Sequence, residues 1–172
     1  DLKAGFKAHL EKALARWGSK RLVVVDPGCA TAIRVHAKDQ GVAVPAVVSL
    51  VEEVAKVLPR LSRLPAPKLR YHDPCQLSRG LGLTSEPRAI LKQITGAWPE
   101  EFRFHRESGR CSGGGGLLPK TLPKIAKGMA EERLREVPED ERVVTACASS
   151  LRQFRREREA DDLVTWIARA LA

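Results

Sequence analysis

Four cysteines, Cys29, Cys75, Cys111 and Cys147, are the residues of this chain best suited to chemistry. A thiolate is a nucleophile and a soft metal ligand, and sets of thiolates hold zinc or iron–sulfur clusters. Cys111 opens the run Cys111-Ser112-Gly113-Gly114-Gly115-Gly116, in which four glycines let the backbone approach a neighbour without side-chain interference. Leu118, Leu122, Ile125, Ala126, Met129, Ala130 and Leu134 then recur three or four apart, as in an amphipathic helix with Pro119 or Pro123 in its first turn. That reading puts Cys111 at a helix N-terminus, where oriented N–H groups and the dipole favour a thiolate or another anion. The plain alternative is a glycine-rich phosphate turn beside an incidental cysteine, although no GxGxxG or Walker pattern accompanies it.

The elements that must position these thiols read as alternating helices and strands. Residues 2–16 form a helix whose face is Leu2, Phe6, Leu10, Ala13, Leu14 and Trp17, with Gly18 as its stop. Arg21-Leu22-Val23-Val24-Val25 is a continuous run expected of a strand buried on both sides, and it breaks at Asp26-Pro27-Gly28-Cys29 before a helix from about Ala30. Val42 to Val47 is a weaker strand, and Ser49-Leu50-Val51-Glu52 is a capping-box pattern opening a helix through Leu58. Residues 59–67 hold three prolines and read as a surface crossing and a possible seam. Strands are expected at 68–72, ending in Asp73-Pro74-Cys75, at 102–104, and at 142–146, ending in Cys147. Helices are expected over 86–94, from about 148, and from Asp161-Asp162 to the end.

This alternation implies an α/β fold: a Rossmann-like, mainly parallel sheet with helices on both faces, whose ligands bind beyond the carboxyl ends of the strands. Cys29, Cys75 and Cys147 each follow a strand, and Cys111 is read as following the 102–104 strand, so the reading gathers four thiols at one edge of one sheet. Val23 to Cys29 also echoes Val144 to Ser150: a strand, then two polar positions three apart, Asp26 and Cys29 in one copy, Cys147 and Ser150 in the other. The echo suggests two pseudo-repeated halves.

Composition limits the alternatives. Hydrophobic residues at 43% and charged residues at 30% describe an ordinary soluble globular domain. No run reaches membrane-span length and no export signal is recognised, so reduced thiols and a cytoplasmic location are expected. The chain starts at Asp1 without an initiator Met, as a processed chain or a fragment would. The net charge of +9 raises nucleic-acid binding, but aromatic residues at 5% leave little to stack on bases. Basic residues are also interleaved with acids, as in Glu131-Glu132-Arg133-Leu134-Arg135-Glu136. A docking face for an acidic partner, or a solvated arginine-rich surface, is the preferred reading.

Thirty-five residues (76–110) separate Cys75 from Cys111, and 34 (113–146) separate Ser112 from Cys147. With the phrases His72-Asp73-Pro74-Cys75, Cys111-Ser112-Gly113 and Val144-Thr145-Ala146-Cys147, these spacings resemble the CCG (cysteine-rich) domain family. That family includes a heterodisulfide reductase subunit and the iron–sulfur subunits of glycolate and lactate oxidation systems. Its motif is a cysteine, a long gap, Cys-Cys-Gly, a second long gap, then Cys-x-x-Cys, usually present twice. The resemblance covers roughly Arg21 to Phe154. It implies residues 1–58 as the tail of a first repeat and 68–172 as a whole second repeat, within one domain.

The resemblance further implies an iron–sulfur cofactor, of 4Fe-4S type with zinc as the alternative. The implied ligands are Cys75, Cys111 and Cys147, joined by Cys29, and Gly113 and Gly114 lie beside the cofactor. Ser112 stands where the second cysteine of Cys-Cys-Gly would be, and Ser150 where the last of Cys-x-x-Cys would be, so a five-thiolate non-cubane cluster lacks two ligands. The implied role is electron transfer in a heterodisulfide-reductase-like or 2-hydroxy-acid-oxidase-like complex. Its partner would be a flavin dehydrogenase or another iron–sulfur subunit, which could hold it peripherally at the inner membrane. A degenerate, cofactor-free scaffold and an anion-binding enzyme using the 113–116 turn are the alternatives.

Other polar residues carry weaker expectations. His72 reads as a strand-end histidine bonded to backbone, with metal ligation or proton transfer as the second option. Asp26 and Asp73 are expected to fix turns that aim the cysteines. Arg79, Arg110 and Arg152 read as solvated, with binding of an anionic ligand or tuning of a cluster's potential as the second option, and Trp17, Trp98 and Trp166 read as packing residues.

Overall fold

The computed structural model describes residues 1–172, the side chain of Leu2 excepted, so the expected place of Leu2 on an apolar helix face lies outside the described residues. Helix α1 (Leu2–Trp17) is capped by Asp1, whose carboxylate accepts from Lys3 N at 2.9 Å, and ends at Gly18 with φ 63°. Strand β1 (Leu22–Val24) leads to Asp26, the N-cap of α2 (Pro27–Thr31). A π-helical turn, Ala32–His36, carries the chain into α3 (Ala37–Asp39). Strand β2 (Val47–Ser49) pairs parallel with β1, and Ser49 and Glu52 complete the expected capping box of α4 (Leu50–Ala55).

After the proline-rich crossing come β3 (Lys68–His72), α5 (Glu86–Thr95) and β4 (Glu100–Glu101). Then follow α6 (Leu118–Thr121), α7 (Pro123–Leu134), β5 (Glu141–Thr145), α8 (Ala148–Phe154), β6 (Ala160–Asp162) and α9 (Leu163–Leu171). The four strands order β4-β3-β5-β6, every neighbouring pair parallel.

Strand alternation divides the core into layers. Leu69, Tyr71 and Val144 pack with Ile90, Leu91 and Ile94 of α5 and with Trp166 and Ile167 of α9. On the opposite face Val143 joins Phe102, Ala130 and Leu134 of α7, and Leu151 and Phe154 of α8. Leu10, Ile33, Ala37 and Val42 make a separate cluster around the two-stranded sheet.

The α/β class, the parallel strands and the helices on both faces are therefore as expected, but one continuous sheet is not. β1 and β2 form their own sheet, so Cys29 and the other cysteines follow strands of different sheets. Val23 and Val25 are 50% and 52% exposed, which corrects the expectation of a strand buried on both sides. The second strand of the second half is Glu100–Glu101, not 102–104, because Phe102 turns into the core under the Arg133 guanidinium, 4.1 Å from its centroid. Strand β6 was unforeseen: two carboxylates in three residues hide its β character, and Asp162 serves as the cap of α9. The helix after the glycines breaks at Leu122 before Pro123, which lacks an N–H, and it leaves Leu122 and Ile125 exposed. Trp166 is buried, but Trp98 is largely exposed and Trp17 partly so.

One buried charge cluster ties these layers together. Arg88 of α5 is 2% exposed and donates to both oxygens of Asp73 at 2.8 Å, to both oxygens of Glu101 at 2.6 and 2.7 Å, and to Thr84 O. The Arg106 N–H adds a 2.7 Å bond to Asp73. Asp73 thus fixes its turn through α5 and the loop after β4, not through its own backbone. Removing one member of such a buried set strands the others without a countercharge, at a cost of about 3–5 kcal/mol. Arg88→Ala is therefore expected to lower unfolding free energy by about that amount in a urea titration, while Lys68→Ala, which removes the exposed Lys68–Asp140 pair, leaves the midpoint unchanged.

Candidate metal centre

Parallel pairing of β3 with β5 sets His72 opposite Thr145, so the loops bearing Cys75 and Cys147 leave the sheet side by side. Cys147 is the N-cap residue of α8. Cys111 arrives from the long crossover between β4 and α6. These three cysteines, with His72, Ser112 and Ser150, line a cavity of about 200 Å³, and all three are half-buried. Asp26 and Gly28, from the start of α2, contribute to its wall.

Cys29 stands apart. It is exposed, lies inside α2 and not before it, and is not among the residues lining the cavity. Asp26 accepts from Gly28 N at 2.8 Å and Cys29 N at 3.2 Å, the turn-fixing role expected of it. Burial and the neighbouring Asp26 carboxylate both raise the Cys29 pKa.

The glycine run works differently from a helix-terminal anion cradle. The next helix starts only at Leu118, so Cys111 is not at a helix N-terminus. Gly113 has φ 75°, and a Cβ there would meet Ala126 O of α7 at 2.5 Å. A Cβ on Gly114 would overlap Ser149 O of α8. The backbone thus wedges between two helices. This approach brings Ser112 Oγ to 2.8 Å from Ser150 Oγ, a buried hydroxyl pair where the sequence resemblance implies two thiols. Gly115 and Gly116 line the cavity, whereas Gly113 and Gly114, the two glycines that the resemblance implies beside a cofactor, do not.

The thiols are electrostatically coupled. Interaction with the Cys111 thiol raises the Cys75 pKa, with burial adding to the effect. The same interaction lowers Cys111 to about 6 against the opposing effect of burial, helped by the Gly113 N–H, 3.4 Å from Sγ, and by Arg79. Arg79 is held in place by Glu107 O and Gly109 O, so it is more than a solvated surface group. Arg110 pairs with Glu132. Among the described residues no three His, Cys, Asp or Glu side chains are gathered as a single-ion site. The three thiols share the wall of one cavity.

His72 departs from the expected backbone-bonded histidine. It is 1% exposed, its Nδ1 has no hydrogen-bond partner, and its ring meets Phe154 edge-on at 4.8 Å. Burial, with Arg133 nearby, lowers its pKa to about 3, so the imidazole is neutral at physiological pH. Sequence reading had no signal for the Arg88 cluster, whose partners lie 13 to 15 positions away, nor for Gln76 and Ser149 on the cavity wall.

Comparison with known proteins identifies the family of this chain. The family model for the cysteine-rich domain, CCG, matches residues 69–155, which contain all three cavity cysteines. The chain belongs to the CCG cysteine-rich domain family. A subunit of the dihydromethanophenazine:CoB–CoM heterodisulfide reductase of Methanosarcina mazei is 30% identical over 154 residues, covering 86% of this chain and 38% of that protein. A subunit of the fumarate reductase (CoM/CoB) of Methanothermobacter marburgensis is 31% identical over 134 residues, 76% of this chain and 26% of the relative. An uncharacterized iron–sulfur protein of Methanocaldococcus jannaschii is 28% identical over 149 residues, 81% and 29%. This chain spans less than half the length of each.

Two measurements test the site's construction. Gly114→Ala is expected to cost at least about 1–3 kcal/mol by overpacking against α8, whereas Gly115→Ala, with open space around its Cβ, leaves the melting temperature unchanged. In the metal-free protein the Cys75–Cys111 pair loses its first proton from Cys111. Alkylation of Cys111, followed by mass spectrometry, should fall away as pH drops through about 6, while Cys29 stays unreactive until well above neutrality.

Proposed function

We propose that this chain is an iron–sulfur electron-transfer module of a larger redox complex, with its cluster held by Cys75, Cys111 and Cys147. The observation that carries the reading is the convergence of three thiols, from segments widely separated in sequence, on one cavity. Thiolates are the ligands such clusters take. The donor set fits a 4Fe-4S cubane with three thiolate ligands. It does not fit a five-thiolate cluster, because the two remaining motif positions are hydroxyls bonded to each other.

When bound, the cluster supplies uptake and return of single electrons. The chain's own groups set the conditions for that exchange. The Gly113 N–H and the Arg79 guanidinium stabilise negative charge at Cys111. The Asp73–Arg88 bonds hold the loop that aims Cys75. Seating the three sulfurs half-buried keeps the cavity partly shielded from water yet near the surface, where a partner can approach.

The relatives' names, two of them reductase subunits, support a protein redox partner, either a flavin dehydrogenase or another iron–sulfur subunit. The +9 charge supports docking against an acidic face, with no role for nucleic acid. No helix among the described residues is long and apolar enough to cross a membrane. A cytoplasmic module, attached to the inner membrane only through its partner, is the location we propose. The seam at 59–67 separates the tail of one repeat (1–58) from a second repeat (68–172). The parallel placement of Asp26 and Cys147, each an N-cap after a strand, supports this duplication.

A second reading rests on the Ser112–Ser150 bond: a degenerate domain, zinc-bearing or cofactor-free, acting as a scaffold. Anaerobic purification with an ultraviolet–visible spectrum and assay of iron, zinc and acid-labile sulfide separates the two. Broad thiolate-to-iron absorbance with matching iron and sulfide is expected, lost in Cys75→Ser, Cys111→Ser and Cys147→Ser but kept in Cys29→Ser. Zinc alone, or a folded colourless protein, would establish the scaffold reading.

A further inference from the structure

We infer that His72 is the fourth protein ligand of the cluster, binding iron through an imidazole nitrogen beside Cys75, Cys111 and Cys147. This inference rests on the cluster reading given above and deepens it. A cubane has four irons, each needing a terminal ligand, and the three cavity thiolates leave one iron without a protein donor. Cys29, the remaining cysteine, is exposed and does not line the cavity.

His72 meets the requirement on independent grounds. It lines the same cavity as the three thiols. Its Nδ1 is buried without a hydrogen-bond partner, in a protein interior where an unmatched polar atom is otherwise costly. Phe102 and Phe154 meet its ring edge-on, at 6.0 Å and 4.8 Å and interplanar angles of 88° and 89°, so they fix its orientation while offering no acceptor. Imidazole is also an established ligand for iron in mixed cysteine–histidine clusters.

The other polar side chains on the cavity wall are weaker candidates. Ser112 and Ser150 hydrogen-bond to one another. Asp26 is occupied through Oδ1 in capping the start of α2, where it accepts the N–H groups of Gly28 and Cys29. Gln76 reaches the cavity wall from an exposed position. A neutral imidazole in place of a fourth thiolate leaves the cluster one unit less negative, which raises its reduction potential relative to an all-cysteine site.

The test uses the 172-residue chain, reconstituted anaerobically with iron and sulfide and labelled with ¹⁵N-histidine. Pulsed electron paramagnetic resonance of the reduced protein should show one strongly coupled nitrogen that changes with the isotope, beside four irons per chain. His72→Cys should keep four irons, lose the nitrogen coupling and shift the potential downward. His72→Ala should release one iron on oxidation. A wild-type cluster with no histidine nitrogen coupling, or with only the weak coupling of a hydrogen bond, overturns the inference while leaving the cluster reading intact. If wild-type protein takes up no iron and sulfide, the cluster reading fails and this inference falls with it. The wild-type spectrum decides the matter even if a variant does not fold.

Discussion

The buried guanidinium of Arg88 is the constraint on which the rest of this structure depends. It binds two carboxylates that come from different places: Asp73 at the end of β3 and Glu101 in the edge strand β4. An ion taken out of water is tolerable only when its countercharges are held in good geometry. The cluster therefore fixes where β3 ends, how β4 lies beside it and where the following loop returns, through the Arg106 N–H. Cys75 inherits its position from Asp73, and Cys111 inherits its from the loop that Arg106 anchors. The network spends burial of charge to obtain placement of sulfur.

Around that anchor the site is built by two other means. Strand pairing sets Cys75 and Cys147 side by side, since β3 and β5 run parallel and end together. Close backbone approach seats Cys111, because Gly113 and Gly114 lie against α7 and α8 with no room for a Cβ. The same approach presses Ser112 against Ser150. These hydroxyls stand at the two positions where the resemblance implies sulfur, and they hydrogen-bond to each other. Three of the five motif positions carry thiols and two carry this polar packing pair.

Much of this was legible in the sequence. The strand run at 68–72, the capping box at Ser49, the proline-opened helix at 86–95 and the terminal helix after Asp162 follow from local rules, and the structure shows all four. The placement of Cys75 and Cys147 side by side was legible because both follow parallel strands ending at one edge, whereas Cys111 joins them from the crossover between β4 and α6. What was not legible depends on pairing across long sequence separations. The Val-rich run of β1 reads alike in a central strand and in a small separate sheet, so the division into two sheets was hidden. Arg88 looked like any helical arginine, because nothing in its neighbourhood announces that two carboxylates wait for it in the fold. His72 was legible as a strand-end residue, but its lack of a partner becomes visible only once Phe102 and Phe154 close around it.

The wedge formed by Gly113 and Gly114 separates two kinds of information that the motif combines. Both glycines are demanded by contacts with the backbones of α7 and α8, whatever the cavity contains. A chain of this architecture that had lost every sulfur would still require them for folding. These glycines are thus demanded by packing, while, on the proposed reading, the side chains at 75, 111, 112, 147 and 150 would report on cofactor content. Sorting relatives by those five side chains, and disregarding the glycines, would separate the members equipped for redox chemistry from those that keep only the scaffold.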